Sequence, residues 1–150
     1  MNILYCGDKN IENGLIISIL SVLKNIKEEL NIYVLTINIE NENQKIQEVT
    51  EKCIEVLNKR VKINNKNNFV KKINITEIFE NEMPVSNMKT RFTPCCMLRL
   101  FADQITELPD KILYLDNDVI CRKNFTEFYN QNIDEYEFVR SIGQLWKVVF

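Results

Sequence analysis

Short apolar runs alternate with longer amphipathic stretches through the first part of the chain, and this alternation most constrains the fold. Apolar runs at 2–6, 31–37 and 61–63 predict buried strands. Between them, residues 11–27 and 40–58 carry apolar side chains at helical spacing with charge on the opposite face. Strand, helix, strand, helix, strand is typical of a doubly wound α/β domain, and 150 residues suffice for one such domain.

The later part of the chain is less regular. Residues 70–82 are ambiguous and fit a strand fragment followed by a short helix. Residues 93–106 predict a helix, because Thr at the cap and Pro at the first position are good start signals. An apolar run at 112–116 predicts another buried strand, and 125–129 a short helical turn.

The strand predicted at 112–116 leads directly into Asp116, Asn117 and Asp118. In open α/β sheets, ligands bind at the carboxyl ends of the strands. On extended backbone, Asp116 and Asp118 would point to the same side and present paired carboxylates. Such hard oxygen ligands suit Mg²⁺ or Mn²⁺ bridging to a phosphate. The alternative is an Asx-type turn in which these side chains merely cap the backbone.

A second strand end carries polar side chains at Gly7, Asp8 and Asn10. Gly7 permits close approach of a ligand to the backbone, and Asp8 and Asn10 have groups that can hydrogen-bond a base or a ribose. The alternative is a common turn between strand and helix, with Asp8 or Asn10 as its cap. Arg99 also has two interpretations, a ligand-binding side chain or a structural partner of a carboxylate.

Bulk properties exclude several functional classes. The net charge is −2 and no basic stripe stands out, so a nucleic-acid partner is not expected. No apolar run approaches the length of a membrane span. The first apolar run follows Met1 and Asn2 without a basic region, so no signal peptide is predicted and we expect a cytoplasmic location.

The chain has no histidine, which excludes Ser–His and Cys–His catalysis and histidine-ligated metals. Its five cysteines form no CxxC pair, and their odd number without a secretory signal predicts unbridged thiols. Any chemistry must therefore use carboxylates, Arg, Lys, hydroxyl groups or thiols.

Several segments, in order, resemble glycosyltransferase family 8, which includes bacterial lipopolysaccharide galactosyl- and glucosyltransferases and glycogenin. Residues 1–10 (MNILYCGDKN) look like the family's opening strand and nucleotide-binding turn, and residues 15–25 look like its first helix. Residues 97–100 (MLRL) are similar to its Tyr-x-Arg-Leu helix. Residues 108–119 (LPDKILYLDNDV) are close to its signature segment, which is specific as a whole although a bare Asp-x-Asp is weak.

The resemblance implies a GT-A fold, incomplete at the C-terminus, for residues 1–150, and a UDP-glucose or UDP-galactose donor with Mn²⁺ or Mg²⁺. It implies that Asp116 and Asp118 hold the metal, with Asn117 beside them in the donor site. Asp8 would contact uracil, while Asn10 and Arg99 would bind elsewhere on the donor. The implied reaction is retaining hexosyl transfer to a glycan or lipid-linked acceptor, as in lipopolysaccharide synthesis.

The chain departs from the family in four ways. Family members are usually longer, and the C-terminal part that is missing here builds the acceptor site. That part also supplies a histidine metal ligand and could provide peripheral membrane association. The tyrosine two residues before the motif arginine is here Met97. Residues 140–150 do not follow the family pattern, so we expect a frameshift near Val139; the alternative is a genuinely short homologue with its own last strand. Loss of the C-terminal layer would expose apolar surface, so we also expect poor solubility or self-association.

Two other functions fit the same residues. A haloacid-dehalogenase-like phosphatase also has Asp-x-Asp after an apolar strand, with a nucleophile and a general acid at those positions. That motif normally opens its domain, however, and here it lies near the chain's end. A non-catalytic remnant that binds a nucleotide sugar is the other alternative, since it would need the donor half-site alone.

Overall fold

The computed structural model describes residues 1–41, 44–82 and 94–133, and the account below concerns these residues. The earlier part contains β1 (Asn2–Cys6), a 3-10 turn (Lys9–Ile11), α1 (Glu12–Asn25), β2 (Asn31–Thr36), β3 (Ile39–Asn41), β4 (Gln44–Ile46), α2 (Glu51–Asn64) and β5 (Phe69–Asn74). The later part contains α3 (Thr76–Glu82), α4 (Pro94–Met97), a 3-10 helix (Leu98–Gln104), β6 (Leu113–Tyr114) and α5 (Thr126–Tyr129).

Four of the described strands form a parallel sheet in the order β5-β2-β1-β6. The chain first builds β1, β2 and β5 in one direction across the sheet, and then adds β6 on the opposite side of β1. The strand order thus reverses between β1 and β6. Strands β3 and β4 form a separate antiparallel hairpin.

The sheet carries a hydrophobic core on each face, because its strands are buried on both sides. On one face, α1 and α2 pack their apolar stripes against alternate residues of the strands, among them Ile3, Tyr5 and Ile32. On the other face, Leu4 and Leu35 contact the hairpin, α3 and the 3-10 helix at Leu98–Gln104. Among the described residues, no helix is both long and apolar enough to cross a membrane.

The helix predicted at 40–58 is confirmed only from residue 51 onward, and the strand predicted at 61–63 is wrong. A hairpin occupies the beginning of the first segment, and α2 begins only after Thr50, whose side chain accepts a hydrogen bond from the Cys53 N–H. Val61 and Ile63 mimic strand alternation, but Val61 continues the buried helical stripe from Leu57 while Ile63 is 75% exposed. The third strand of the parallel sheet, in chain order, is instead β5.

The remaining elements lie close to their predicted positions. Strands β1 and β2 are confirmed, α1 is preceded by a 3-10 turn, and the ambiguous region 70–82 is the strand and short helix that its pattern allowed. The helix predicted at 93–106 consists of α4 and a 3-10 segment, and β6 is shorter than predicted. Thr93, its predicted cap, and the tail 140–150 lie outside the described residues.

Candidate functional site

A cleft lies where the carboxyl ends of β1 and β6 meet. Leu4 pairs with Tyr114, and the Leu115 N–H donates to the Leu4 carbonyl at 2.9 Å, so the turns that follow the two strands are neighbours. Open α/β sheets bind ligands at such a reversal of strand order. The cleft has a volume of about 400 Å³, and its walls are formed by Cys6, Gly7, Asp8, Asn10, Ile11, Lys45, Ile46, Pro94, Cys95, Cys96, Tyr114, Asp116 and Asn117.

The turn after β1 is closed by its own aspartate. Both Asp8 carboxylate oxygens accept hydrogen bonds from Asn10 at 3.0 Å, one from the backbone N–H and one from the side-chain amide. Asp8 thereby caps the 3-10 turn that leads into α1. The Gly7 N–H donates to the Leu35 carbonyl at 3.0 Å and fixes this turn against β2. Asp8 therefore has the capping role that the sequence left open, and the side chains of Asp8 and Asn10 also line the cleft.

The turn after β6 is a hydrogen-bonded β-turn. The Asp116 carbonyl accepts from the Val119 N–H at 3.1 Å, two residues beyond the end of the strand at Tyr114. The prediction that Asp116 and Asp118 project from extended backbone is therefore wrong, because the chain turns between them. Asp116 is half-buried and lines the cleft, whereas Asp118 is exposed and is not among the residues that line it.

Helix α1 fixes the position of the β6 turn. A Cβ atom added at Gly14 would lie 2.8 Å from the Asn117 carbonyl oxygen, so only glycine allows the turn to approach the helix this closely. Farther along, the Cys121 N–H donates to the Ser21 hydroxyl at 2.8 Å, and the Asn25 amide donates to the Cys121 carbonyl at 2.9 Å. The same helix thus holds the chain at and after the two aspartates.

Arg99, Tyr114 and Asp116 form one polar network. The Tyr114 hydroxyl donates to Asp116 Oδ1 at 2.6 Å, and Arg99 Nη1 donates to the Tyr114 hydroxyl oxygen at 3.2 Å. The guanidinium also lies over the tyrosine ring, with Cζ 5.1 Å from the ring centroid. Nη1 is 3.7 Å from Asp116 Oδ1, an ion-pair distance. Arg99 is therefore a structural partner of a carboxylate, which is one of the two interpretations that the sequence allowed.

Burial controls the protonation of several groups at the cleft. Burial and the hydrogen bond to Asp116 raise the pKa of Tyr114 far above its usual value, so the phenol is a neutral donor at physiological pH. Burial works to lower the pKa of Arg99, but the Tyr114 hydrogen bond and the Asp116 charge outweigh it, and the pKa is raised. Burial also raises the pKa of Cys95 to about 12 and that of Cys6 well above its usual value.

The described residues fit a divalent cation as a partial site. Asp116 and Asp118 have the hard carboxylate oxygens that Mg²⁺ and Mn²⁺ prefer. In residues 1–41, 44–82 and 94–133, no group of three or more Cys, Asp or Glu side chains is arranged to hold a metal ion. A cation held by the two aspartates would need ligands beyond these described side chains, and the oxygens of a bound diphosphate and of water have the right chemistry.

The structure brings most of the predicted site residues together. Four of the six line the cleft directly: Asp8, Asn10, Asp116 and Asn117. Arg99 reaches the cleft through Tyr114 and Asp116, and Asp118 lies at the exposed end of the β6 turn.

Sequence reasoning missed three residues at this site. Tyr114 stands two positions before Asp116, so its position on the same side of the strand was a usable signal. Gly14 interrupts an amphipathic helix, which often marks close packing of another segment. Lys45 is the one Lys or Arg among the residues that line the cleft in the described part of the chain, and no local pattern signalled it, because its hairpin was predicted to be helix.

Comparison with known proteins gives a family and a fold. The family model described as Glycosyl transferase family 8 matches residues 2–146. No curated protein matches the chain. Two solved structures of LgtC are similar to it, one an active-site mutant and the other the galactosyltransferase in complex with donor and acceptor sugar analogues.

Each LgtC structure has a TM-score of 0.70 and 19% sequence identity with this chain. The similar region covers 95% of this chain and 46% or 47% of the LgtC chain, so this chain spans about half the length of LgtC. At this identity the likeness establishes the fold, a mixed α/β GT-A architecture with a parallel central sheet. The family match favours a glycosyltransferase over the phosphatase that the Asp-x-Asp segment also allowed.

Proposed function

Because the chain belongs to glycosyl transferase family 8, we propose that it binds a UDP-hexose, UDP-glucose or UDP-galactose, in the cleft between the β1 and β6 turns. We further propose that it serves retaining transfer of the hexose to a glycan or lipid-linked acceptor, with Mn²⁺ or Mg²⁺ bound beside the diphosphate. A cytoplasmic location remains part of this proposal.

The observation that carries the proposal is the convergence of two polar turns on one cleft at the strand-order reversal. Asp8 and Asn10 border one side, and Asp116 and Asn117 border the other. Hydrogen-bond acceptors beside Gly7, on Asp8 and Asn10, suit a base and ribose. Carboxylates at the opposite side suit a hydrated cation that accompanies a diphosphate.

The charged side chains at the two turns and the hairpin have different roles in this proposal. Asp116 and Asp118 would hold the cation, whose Lewis acidity would stabilise negative charge on the departing UDP. Asp8 would accept a hydrogen bond from uracil, although its present bonds to Asn10 must then be shared or exchanged. Lys45 would add positive charge beside the donor phosphates or ribose, since it borders the cleft from the hairpin.

Calorimetric titration of the full chain with UDP, in Mn²⁺ and in EDTA, tests the binding step. We expect saturable binding in Mn²⁺ and at least tenfold weaker binding in EDTA, because the cation bridges carboxylates and diphosphate. The Asp116→Asn variant should lose the difference between the two conditions. Equal binding of UDP and inorganic phosphate, or no UDP binding in either condition, would contradict the proposal.

Non-catalytic binding of a nucleotide sugar is the second candidate. It is favoured by the cleft between the β1 and β6 turns, because binding a nucleotide sugar would need this donor half-site alone. Release of free hexose from UDP-glucose or UDP-galactose, followed over hours by chromatography, separates the candidates. Turnover that Asp116→Asn abolishes supports the transferase, whereas Mn²⁺-dependent UDP binding without turnover supports the binding protein.

Self-association and peripheral membrane association are further proposals for this chain. Several large apolar side chains are exposed among the described residues, including Leu100 at 59% and Ile120 at 46%. Sedimentation velocity at several protein concentrations tests self-association, and flotation with anionic vesicles tests membrane binding. A monodisperse monomer that stays with the protein fraction would contradict both proposals.

A further inference from the structure

Tyr114 lies between Arg99 and Asp116 at the cleft. The residue is buried in β6, only 3% exposed, and is one of those that line the cleft. The hydroxyl hydrogen is donated to Asp116 Oδ1 at 2.6 Å, and the hydroxyl oxygen accepts from Arg99 Nη1 at 3.2 Å. The phenol therefore uses both of its hydrogen-bonding capacities to link a guanidinium to a carboxylate.

This link holds the two charged groups at an ion-pair distance without a direct hydrogen bond between them. Arg99 Nη1 is 3.7 Å from Asp116 Oδ1, which is beyond a direct hydrogen bond. Arg99 is also held against the tyrosine ring face, and its side chain is 27% exposed. Without the hydroxyl group, a guanidinium this close to a carboxylate would close the gap, because a direct Arg–carboxylate contact is charge-assisted and is often bidentate.

The separation leaves one carboxylate oxygen of Asp116 available. Oδ1 receives the tyrosine hydroxyl, whereas no hydrogen bond from the described residues reaches Oδ2. An Asp116 captured by Arg99 would have its charge neutralised and both oxygens engaged, and a cation would then have to displace the arginine.

We propose that Tyr114 is a positioning residue whose hydroxyl group keeps Arg99 from capturing Asp116, and so keeps one carboxylate oxygen ready for the cation of a nucleotide diphosphate. This inference rests on the proposed function of the same cleft. It assigns Tyr114 no contact with the donor, and it makes the effect of the hydroxyl group depend on the presence of the guanidinium.

A double-mutant cycle tests that dependence. The four proteins are the natural chain, Tyr114→Phe, Arg99→Met and the double variant. Mn²⁺ affinity is measured by electron paramagnetic resonance of the free ion, with and without UDP, and UDP affinity by calorimetry in Mn²⁺ and in EDTA. Tyr5→Phe is the matched control, because it removes another buried phenol hydroxyl. Tyr5 lies in β1, the strand next to β6, and its hydroxyl pairs with the Ser18 hydroxyl of α1 at 2.9 Å.

We expect Tyr114→Phe to weaken Mn²⁺ binding about tenfold in the Arg99 background and less than twofold in the Arg99→Met background. UDP affinity in EDTA and the melting temperature should change no more than in Tyr5→Phe. An equal loss in both backgrounds would overturn the inference, since the hydroxyl group would then act on Asp116 without regard to Arg99. No loss in either background would also overturn it.

The two levels of the proposal fail in different ways. If the natural chain binds Mn²⁺ but UDP does not tighten that binding, the nucleotide function fails, while the cycle on Mn²⁺ alone still decides the role of Tyr114. If UDP tightens Mn²⁺ binding and the four proteins behave additively, the role of Tyr114 fails and the nucleotide function stands. If the natural chain binds neither ligand, both are rejected.

Discussion

The turns after β1 and β6 both carry an aspartate at the cleft, but they hold it differently. Asp8 is held by Asn10, two residues along the same turn, through both carboxylate oxygens. Asp116 is held by Tyr114 from its own strand and by Arg99 from a separate 3-10 helix, and both contacts reach the same oxygen. The first turn is a local structure, and the second depends on distant parts of the chain.

This difference bears on what each aspartate can do. A carboxylate whose partners lie in its own turn keeps its geometry whenever that turn forms, and a ligand must compete with both hydrogen bonds. A carboxylate held through one oxygen can offer the other to a ligand, provided that its neighbours stay in place. We therefore expect substitutions at the two turns to lower UDP affinity by different amounts, and only one of these losses to depend on the cation.

The largest contrast is expected between Asp116→Asn and Asp8→Asn. Asp116→Asn should weaken Mn²⁺-dependent UDP binding by about 100-fold, because it removes a charged oxygen ligand. Asp8→Asn should weaken UDP binding less and equally with Mn²⁺ and with EDTA, because asparagine still caps the turn. Calorimetry of both variants in both conditions measures the contrast. If Asp8→Asn alone abolished the Mn²⁺ dependence, the assignment of the cation to the β6 turn would be wrong.

A second contrast concerns the glycines beside the two turns. Gly14→Ala should destabilise the fold by about 1–3 kcal/mol and weaken UDP binding about tenfold, since its Cβ would meet the Asn117 backbone oxygen at 2.8 Å. Gly7→Ala should cost less, because its Cβ would meet the Ile11 side chain, which can move. Chemical denaturation and UDP titration measure both effects.

Asn13→Ala serves as the control for alanine in this part of α1, since Asn13 is exposed. Alanine is the better helix former by about 1 kcal/mol relative to glycine, so crowding must exceed that gain for the prediction to hold. An unchanged or stabilised Gly14→Ala protein would show that the β6 turn can move away without cost.

A smaller effect is expected at the hairpin that borders the β1 turn. Lys45→Met should weaken UDP binding a few-fold, with the loss shrinking at high salt, because an exposed ammonium is screened by ions. Its present partner is the exposed Glu40 at 2.6 Å, a contact worth little in water. Lys9→Met is the matched control, because Lys9 bonds Gln47 nearby and does not line the cleft. Equal losses of UDP affinity in the two variants would indicate that the protein's net charge matters and that the position of Lys45 at the cleft does not.

The smallest effect concerns the thiols at the cleft. At pH 7, iodoacetamide should label exposed Cys96 before Cys6 and Cys95, whose pKa values are raised by burial, because thiolates are the reactive form. Labelling of Cys95 should accelerate as the pH approaches about 12. UDP with Mn²⁺ should slow labelling of Cys96, which peptide mass spectrometry measures. Faster labelling of Cys6 than of Cys96 would contradict the burial of the Cys6 thiol at the cleft.

Much of the site was predictable because its aspartates follow buried strands. Apolar runs ending in Asp8 and Asp116 placed both carboxylates at one edge of a parallel sheet, and the structure has them there. The errors arose where a pattern was ambiguous. Val61 and Ile63 fit strand alternation as well as a helix end, and the hairpin before α2 was hidden in a helical spacing of apolar residues.

The sequence by itself indicated the parallel α/β class, the two acidic strand ends and, as one of two alternatives, the capped turn at Asp8, because each leaves a local pattern of apolar runs and turn residues. Tertiary structure alone decided that β6 joins beside β1, that Gly14 receives the Asn117 carbonyl, and that Tyr114 separates Arg99 from Asp116. The physical reason is distance along the chain. Contacts between remote segments follow from packing of the whole core, and a local pattern can mark one residue of such a contact without identifying its partner.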